Sequence, residues 1–160
     1  MHYFAYSSNM SFEHMRRLCG RHFTVLGAAT LRDFEFGPDM RGYATIRPYK
    51  GSQVAGVLYE VNSKCIDALD DFDGYPDIFD RIEVEVVGPD NNKHKAWVYA
   101  QSPEKFGGKF IKHEFLKRVI AAAKDNRLPE PWIKFLESFA NNNDQAFEHK
   151  NLGTSTGSGV

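Results

Sequence analysis

The sequence predicts an α+β domain in which about six or seven strands, read as one curled sheet, are interleaved with about four helices. Segments with the period-two alternation of strands mix irregularly with segments whose apolar residues recur every three to four positions. That mixture excludes both a regular βαβ series and a pure sandwich. The chain has 160 residues, 42% of them hydrophobic, which furnishes one core at roughly 150 residues per domain. Glycine and proline fall at several of the boundaries, at Gly20, Gly74, Pro76 and Pro129, where they stop or open elements.

The elements follow in order. His2 to Tyr6 is a short aromatic strand that breaks at Ser7-Ser8-Asn9, residues that favour turns and caps. Ser11 is the N-cap of a helix through Cys19, with Phe12, Met15, Leu18 and Cys19 on one stripe and Gly20 as its stop. His22 to Phe36 alternates loosely around Gly27 and reads as one long bent strand or two short ones. Gly42 to Ile46 and Gln53 to Val61 read as two more strands. Ser63 is expected to cap a helix over Lys64 to Phe72, with Ile66, Leu69 and Phe72 sharing a face until Gly74 and Pro76 end it. Arg81 to Val87 and Lys93 to Ala100 alternate cleanly about Gly88-Pro89-Asp90-Asn91-Asn92 and predict a hairpin. Phe110 to Lys124 is helical, and Pro129 opens a last helix carrying Trp132, Phe135, Leu136 and Phe139. Residues 1–140 are read as the domain, and 141–160, small and polar, as a C-terminal tail.

Composition narrows the partners. Lysine plus arginine number 20 and aspartate plus glutamate 21, a formal net charge of -1, so no broad cationic surface exists for nucleic acid or an anionic membrane, and neither is an expected partner. No apolar run approaches the roughly 20 residues of a spanning helix, and the first residues lack the basic and apolar regions of a cleaved signal. A soluble, cytoplasmic chain is expected. Cys19 and Cys65 stand far apart with no CxxC, and the six histidines form no HxxxH or HxH pair. Neither a disulfide framework nor a metal site is indicated, and a reducing compartment fits.

Two places can carry chemistry. In Tyr6-Ser7-Ser8-Asn9-Met10, between a strand and a helix start, successive backbone N–H groups can converge on an anion such as a carboxylate. The same residues also read as an ordinary hydroxyl-rich cap. The acidic run Asp67, Asp70, Asp71 and Asp73, before Gly74-Tyr75-Pro76, crowds negative charge at a helix C-terminus. Crowding of that kind can raise one carboxyl toward neutrality and make it a general base. The plain alternative is a solvated helix end.

Four blocks in consistent order carry a resemblance. Tyr3-Phe4-Ala5-Tyr6-Ser7-Ser8-Asn9-Met10, Gly42-Tyr43-Ala44-Thr45-Ile46, Val54-Ala55-Gly56-Val57-Leu58-Tyr59-Glu60-Val61 and Leu69-Asp70-Asp71-Phe72-Asp73-Gly74-Tyr75-Pro76 resemble the γ-glutamylcyclotransferase superfamily, which includes the AIG2-like proteins. Asn126-Arg127-Leu128-Pro129 is similar to the "ENGLP" stretch of eukaryotic members. The resemblance implies a small mixed β-barrel with helices around it, a cavity at one end, and no metal or organic cofactor. It implies a small-molecule γ-glutamyl substrate, whose α-amino group attacks its own γ-carbonyl to give 5-oxoproline and a free amine or amino acid. Tyr6, Ser7, Ser8, Asn9 and Met10 stand where the family holds the γ-glutamyl group, and Asp73 stands where the family has its proton-moving glutamate. Phe79, Tyr75 and Tyr43 are candidates for the wall around the leaving amine.

Two positions depart from the family pattern. Asp73 is one methylene shorter than glutamate, about 1.5 Å, and a displacement of about 1 Å can cost roughly a hundredfold in rate. Ser7 replaces a glycine, which implies about 1 kcal/mol of strain if the position needs positive φ. An enzyme and a noncatalytic ligand-binding member of the fold are therefore both expected readings.

Overall fold

Strands β1 (His2–Ala5), β2 (Phe23–Pro38), β3 (Ala44–Val61), β4 (Asp80–Val87) and β5 (Lys93–Ala100) close into a barrel in the order β1-β3-β2-β4-β5. The structure is a computed structural model that describes residues 1–140, and the tail read at 141–160 lies outside the described residues. Neighbouring strands are antiparallel except at the closure, where β1 meets β5 in parallel at Tyr3 and Trp97. The α+β class and the mixed barrel are as expected, but the strands number five instead of six or seven.

The difference lies in β2 and β3, which run 16 and 18 residues. Gly27 bends β2 at a register shift without ending it. The segment around Pro48 and Gly51, which separates two strands in the sequence reading, is an excursion of one continuous strand. Arg32 pairs with Gln53 and Phe34 with Pro48, so Tyr49 to Ser52 bulge outward opposite the single residue Asp33. The Asp33 carboxylate accepts the Gly51 N–H at 3.0 Å, which gives the excursion a partner for an otherwise unpaired donor. At Gly56 a Cβ would overlap the Ala5 carbonyl and the Phe4 ring. A missing side chain in β3 thus lets the end of β1 approach closely.

Helices α1 (Phe12–Cys19), α2 (Ser63–Asp73), α3 (His113–Asp125) and α4, over 130–140, pack around the barrel. Ser11 caps α1 as expected, its hydroxyl accepting the His14 N–H at 3.3 Å. The cap of α2 is Asn62 and not Ser63, because the Asn62 side chain reaches the Cys65 N–H at 3.2 Å. Helix α3 begins at His113 rather than Phe110, which is exposed. The buried faces also shift. Met15 and Cys19 face the core from α1 while Phe12 is exposed, and Cys65, Ile66 and Leu69 do so from α2 while Phe72 is exposed. Leu116, Val119 and Ala123 of α3 join Ile133 and Leu136 of α4 in the same core. No helix among the described residues is long and apolar enough to cross a membrane.

The cysteine reading is corrected. Cys19 at the end of α1 and Cys65 in the first turn of α2 form a disulfide, with Cα atoms 4.8 Å apart. Sequence spacing did not reveal it because the two lie 46 positions apart, and only the packing of α1 on α2 brings the thiols together. Closing a loop of that length removes about 4 kcal/mol of unfolded-chain entropy in the loop-closure model. The Cys19→Ser/Cys65→Ser double variant is expected to lose about 2–4 kcal/mol of stability in urea unfolding, and dithiothreitol should bring the parent chain down to the same level. Equal midpoints with and without reductant would show that the bond contributes nothing.

Candidate active site

The chain leaves β1 at Ala5 and passes through Tyr6 and Ser7 into a single 3-10 turn, Ser8–Met10, before α1. Four buried or part-buried side chains hold this turn. The Tyr6 hydroxyl donates to the Tyr99 carbonyl at 2.7 Å, and the Tyr59 hydroxyl donates to the Asn9 carbonyl at 2.8 Å. The Asn9 amide donates to the Tyr3 hydroxyl at 2.8 Å, while Asn126 reaches the Met10 carbonyl at 2.8 Å from the end of α3. The sequence dictates these polar partners only once the barrel closes, because every one of them but Tyr3 is remote in the chain. Ser7 has φ -135° and ψ -128°, so the expected positive-φ strain does not arise and serine is accommodated there.

Asp73 is the last residue of α2. Gly74 takes the left-handed C-cap at φ 68°, and the Tyr75 N–H returns to the Asp70 carbonyl at 2.9 Å, the usual way of closing a helix on glycine. A Cβ at position 74 would also press into Ile78. Asp70, one turn earlier, is fully engaged: its carboxylate accepts the Tyr99 hydroxyl at 2.6 Å and pairs with Arg81. The Arg81 guanidinium lies over the Tyr75 and Trp97 rings, 4.8 and 5.0 Å from their centroids. With Asp70 tied to β4 and β5, the end of α2 is held against the barrel, and among the described residues no cation is bonded to Asp73.

Asp73, Ser7 and Ser8 line one cleft of about 710 Å³, together with Arg41, Tyr43, Phe72, Phe79, His14 and, on the α1 and α3 side, Glu13, Arg17, Arg118 and Asp125. The Asp73 carboxyl is pushed up to about 7, first by burial, with the nearby Arg41 pulling it down and Asp70 pushing it up. Its charge is felt across the cleft: the Tyr6 phenol is raised well above its ordinary value, first by burial and next by Asp73. His14, edge-on to Phe72 at 4.8 Å, is pushed below its ordinary value by burial and then by Arg17 and Arg118. Among the described residues no group of three or more His, Cys, Asp or Glu side chains is placed to hold a metal ion.

Of the residues singled out in the sequence, the structure brings Ser7, Ser8, Asp73, Phe79 and Tyr43 to this cleft. Tyr6, Asn9 and Met10 are buried behind it, and the Met10 N–H is engaged with the Ser7 carbonyl at 3.0 Å. Tyr75 packs under Arg81 outside the cleft. Arg41, which no local pattern marked, sits on the turn between β2 and β3. The turn itself has a signature, since the side chain of Asp39 accepts the Arg41 and Tyr43 N–H groups at 2.9 Å each and Gly42 has φ 87°. The direction of the arginine side chain has no such signature.

The gamma-glutamyl cyclotransferase, AIG2-like family model matches residues 3–117 of the chain. A Drosophila melanogaster protein provisionally named a gamma-glutamylcyclotransferase is 32% identical over 53 residues, 33% of this chain and 34% of its own length. A Methanocaldococcus jannaschii protein with the same provisional name is 33% identical over 62 residues, 36% of this chain and 52% of its own. The chain thus spans about a third and about half of the lengths of these two curated relatives. Among solved structures, one described as gamma-glutamyl cyclotransferase superposes with a TM-score of 0.76 at 23% identity, covering 86% of each chain, a likeness of fold.

Two outcomes follow from this geometry. Because burial holds the Asp73 carboxyl protonated up to about pH 7, the folded chain binds that proton more tightly than the unfolded one. Stability from this group is full below about pH 4 and falls as pH rises toward 7. Asp73→Asn is therefore expected to be more stable than the parent at pH 8, with the difference vanishing near pH 4; a difference independent of pH in urea unfolding would remove the burial argument. Tyr99→Phe leaves the Asp70 carboxylate half-paired and is expected to cost about 1–3 kcal/mol in the same measurement.

Proposed function

From the premise that the chain belongs to the gamma-glutamyl cyclotransferase, AIG2-like family, we propose that it is a γ-glutamylcyclotransferase. It cyclises the γ-glutamyl group of a γ-glutamyl amine or γ-glutamyl amino acid to 5-oxoproline, a lyase-type release of the amine or amino acid. The observation that carries this reading is a partly buried carboxyl, Asp73, poised at about 7 in the same cleft as Ser7 and Ser8. A base with that value is half ionised at neutral pH and can both take and return a proton.

The steps follow from that pairing. The Ser7–Ser8 segment, held from behind by Tyr6, Asn9 and Met10, cradles the γ-glutamyl group in a folded conformer. The Asp73 carboxylate takes a proton from the α-ammonium, and the freed nitrogen attacks the γ-carbonyl carbon. A C–N bond forms within the ring, whose nitrogen sheds its second proton as the bond to the leaving nitrogen breaks; both protons pass to the leaving nitrogen, the first by way of Asp73, and it departs as an ammonium. The reaction is intramolecular, so holding the reacting atoms close supplies much of the acceleration. No cofactor is needed for these steps. The cytoplasmic setting expected from the sequence is not carried into the proposal, because cytosolic thiols are normally kept reduced and Cys19 and Cys65 are bonded.

A second reading is favoured by one observation: Asp73 is a methylene shorter than the glutamate of the family pattern, which suits a member that binds γ-glutamyl compounds without turnover. The test is a panel of γ-glutamyl amines and amino acids with 5-oxoproline as the readout. Turnover is expected, with kcat/KM rising through a limb near pH 7 as Asp73 ionises and with Asp73→Asn lowering it about 10²–10⁴-fold. Thermal stabilisation by the panel with no 5-oxoproline would establish the binding member instead.

A further inference from the structure

Arg41 is the cation nearest in effect to the proposed base, and the fold immobilises it. Asp39, with its side chain fully buried, accepts Arg41 Nε at 3.1 Å and Nη2 at 2.9 Å on one oxygen. The guanidinium lies over the Tyr43 and Phe79 rings, 5.1 and 5.4 Å from their centroids. Nη1 has no hydrogen-bond partner among the described residues, and the side chain is 42% exposed on the cleft that holds Asp73. Arg17 and Arg118 line the same cleft but flank His14 on the α1 and α3 side, and neither acts on Asp73 as Arg41 does. A buried carboxylate and two aromatic rings fix the fork in one orientation, a device suited to reading a planar anion.

The chemistry of a γ-glutamyl group says which anion. Its α-carboxylate and its α-amino group are attached to the same carbon, so the cation that binds the one must neighbour the base that deprotonates the other. We propose that Arg41, oriented by Asp39, binds the α-carboxylate of the substrate and sets the specificity for γ-glutamyl over otherwise identical 4-aminobutanoyl compounds. This rests on the reading of the cleft as a γ-glutamyl site. Ser7 and Ser8 then contact the rest of the γ-glutamyl group, and Asp39 acts as a positioning residue.

The experiment compares γ-glutamyl-p-nitroanilide with 4-aminobutanoyl-p-nitroanilide, which lacks only the α-carboxylate and closes to 2-pyrrolidinone instead of 5-oxoproline. The parent should favour the γ-glutamyl compound by about 30-fold or more in kcat/KM, and Arg41→Gln should bring that ratio down to about 3 or less. Because Arg41→Gln leaves the buried Asp39 carboxylate without its cation, held only by two backbone N–H groups, the Asp39→Asn/Arg41→Gln double variant is measured beside it and should show the same collapse. Both compounds need the Asp73 base, so loss of that base lowers both and does not by itself collapse the ratio. A ratio preserved in both variants overturns the inference. If the parent turns over neither compound, calorimetry decides. Tighter binding of 5-oxoproline than of 2-pyrrolidinone, lost in the double variant, upholds the role of Arg41 while the catalytic reading fails. Equal binding of the two lactams overturns it.

Discussion

Tyr99 is the residue on which both halves of the cleft depend. Its carbonyl receives the Tyr6 hydroxyl and so anchors the turn that follows β1, while its own hydroxyl donates to Asp70 and so anchors the end of α2. The turn and the carboxylate are more than sixty positions apart, yet one residue of β5 sets the distance between them. The parallel closure of β1 on β5 makes this possible, since it places the strand that precedes the turn beside the strand that carries Tyr99. Burial keeps the phenol neutral, first by desolvation and then through its bond to Asp70, so it remains a donor across the working range of pH.

The charges of the cleft show a division of labour. Two carboxylates that hold residues around the cleft are already committed. Asp70 is committed to Tyr99 and Arg81, and Asp39 to Arg41 and two backbone N–H groups. Asp73 is left with burial as its dominant influence, and burial disfavours the ionised form. An isolated acidic helix end would distribute its protons among near-equivalent groups. Here Asp70 and Asp39 have partners of their own, while Asp73 faces the cleft and its carboxyl is pushed up to about 7. Arg41 moderates that effect without cancelling it, because its guanidinium is already held by Asp39.

Much of this was legible in the chain. The period-two and period-3.6 segments give the class, and Ser11, Gly74 and the β4–β5 hairpin lie where local rules put them. The turn at Ser7–Asn9 and the acidic block ending at Asp73 were visible as candidate sites because polar residues between apolar elements stand out locally. What misled the reading was also local. Pro48 and Gly51 look like a strand break, but Asp33 across the sheet satisfies the bulge and the strand continues. Phe72 shares a helical face with Ile66 and Leu69 in sequence, yet the cleft opens beneath it and leaves it uncovered.

Sequence alone determined the fold class, most of the elements, the two polar blocks and the chemistry open to each, because helix periodicity, capping and turn preference act over a few residues and leave their mark in order along the chain. Tertiary structure alone decided that α1 and α2 are joined through Cys19 and Cys65, that Arg41 points into the cleft with Asp73, and that burial pushes the Asp73 carboxyl up to about 7. Those outcomes depend on distance and desolvation between residues far apart in the chain, and both come into being only when the barrel closes.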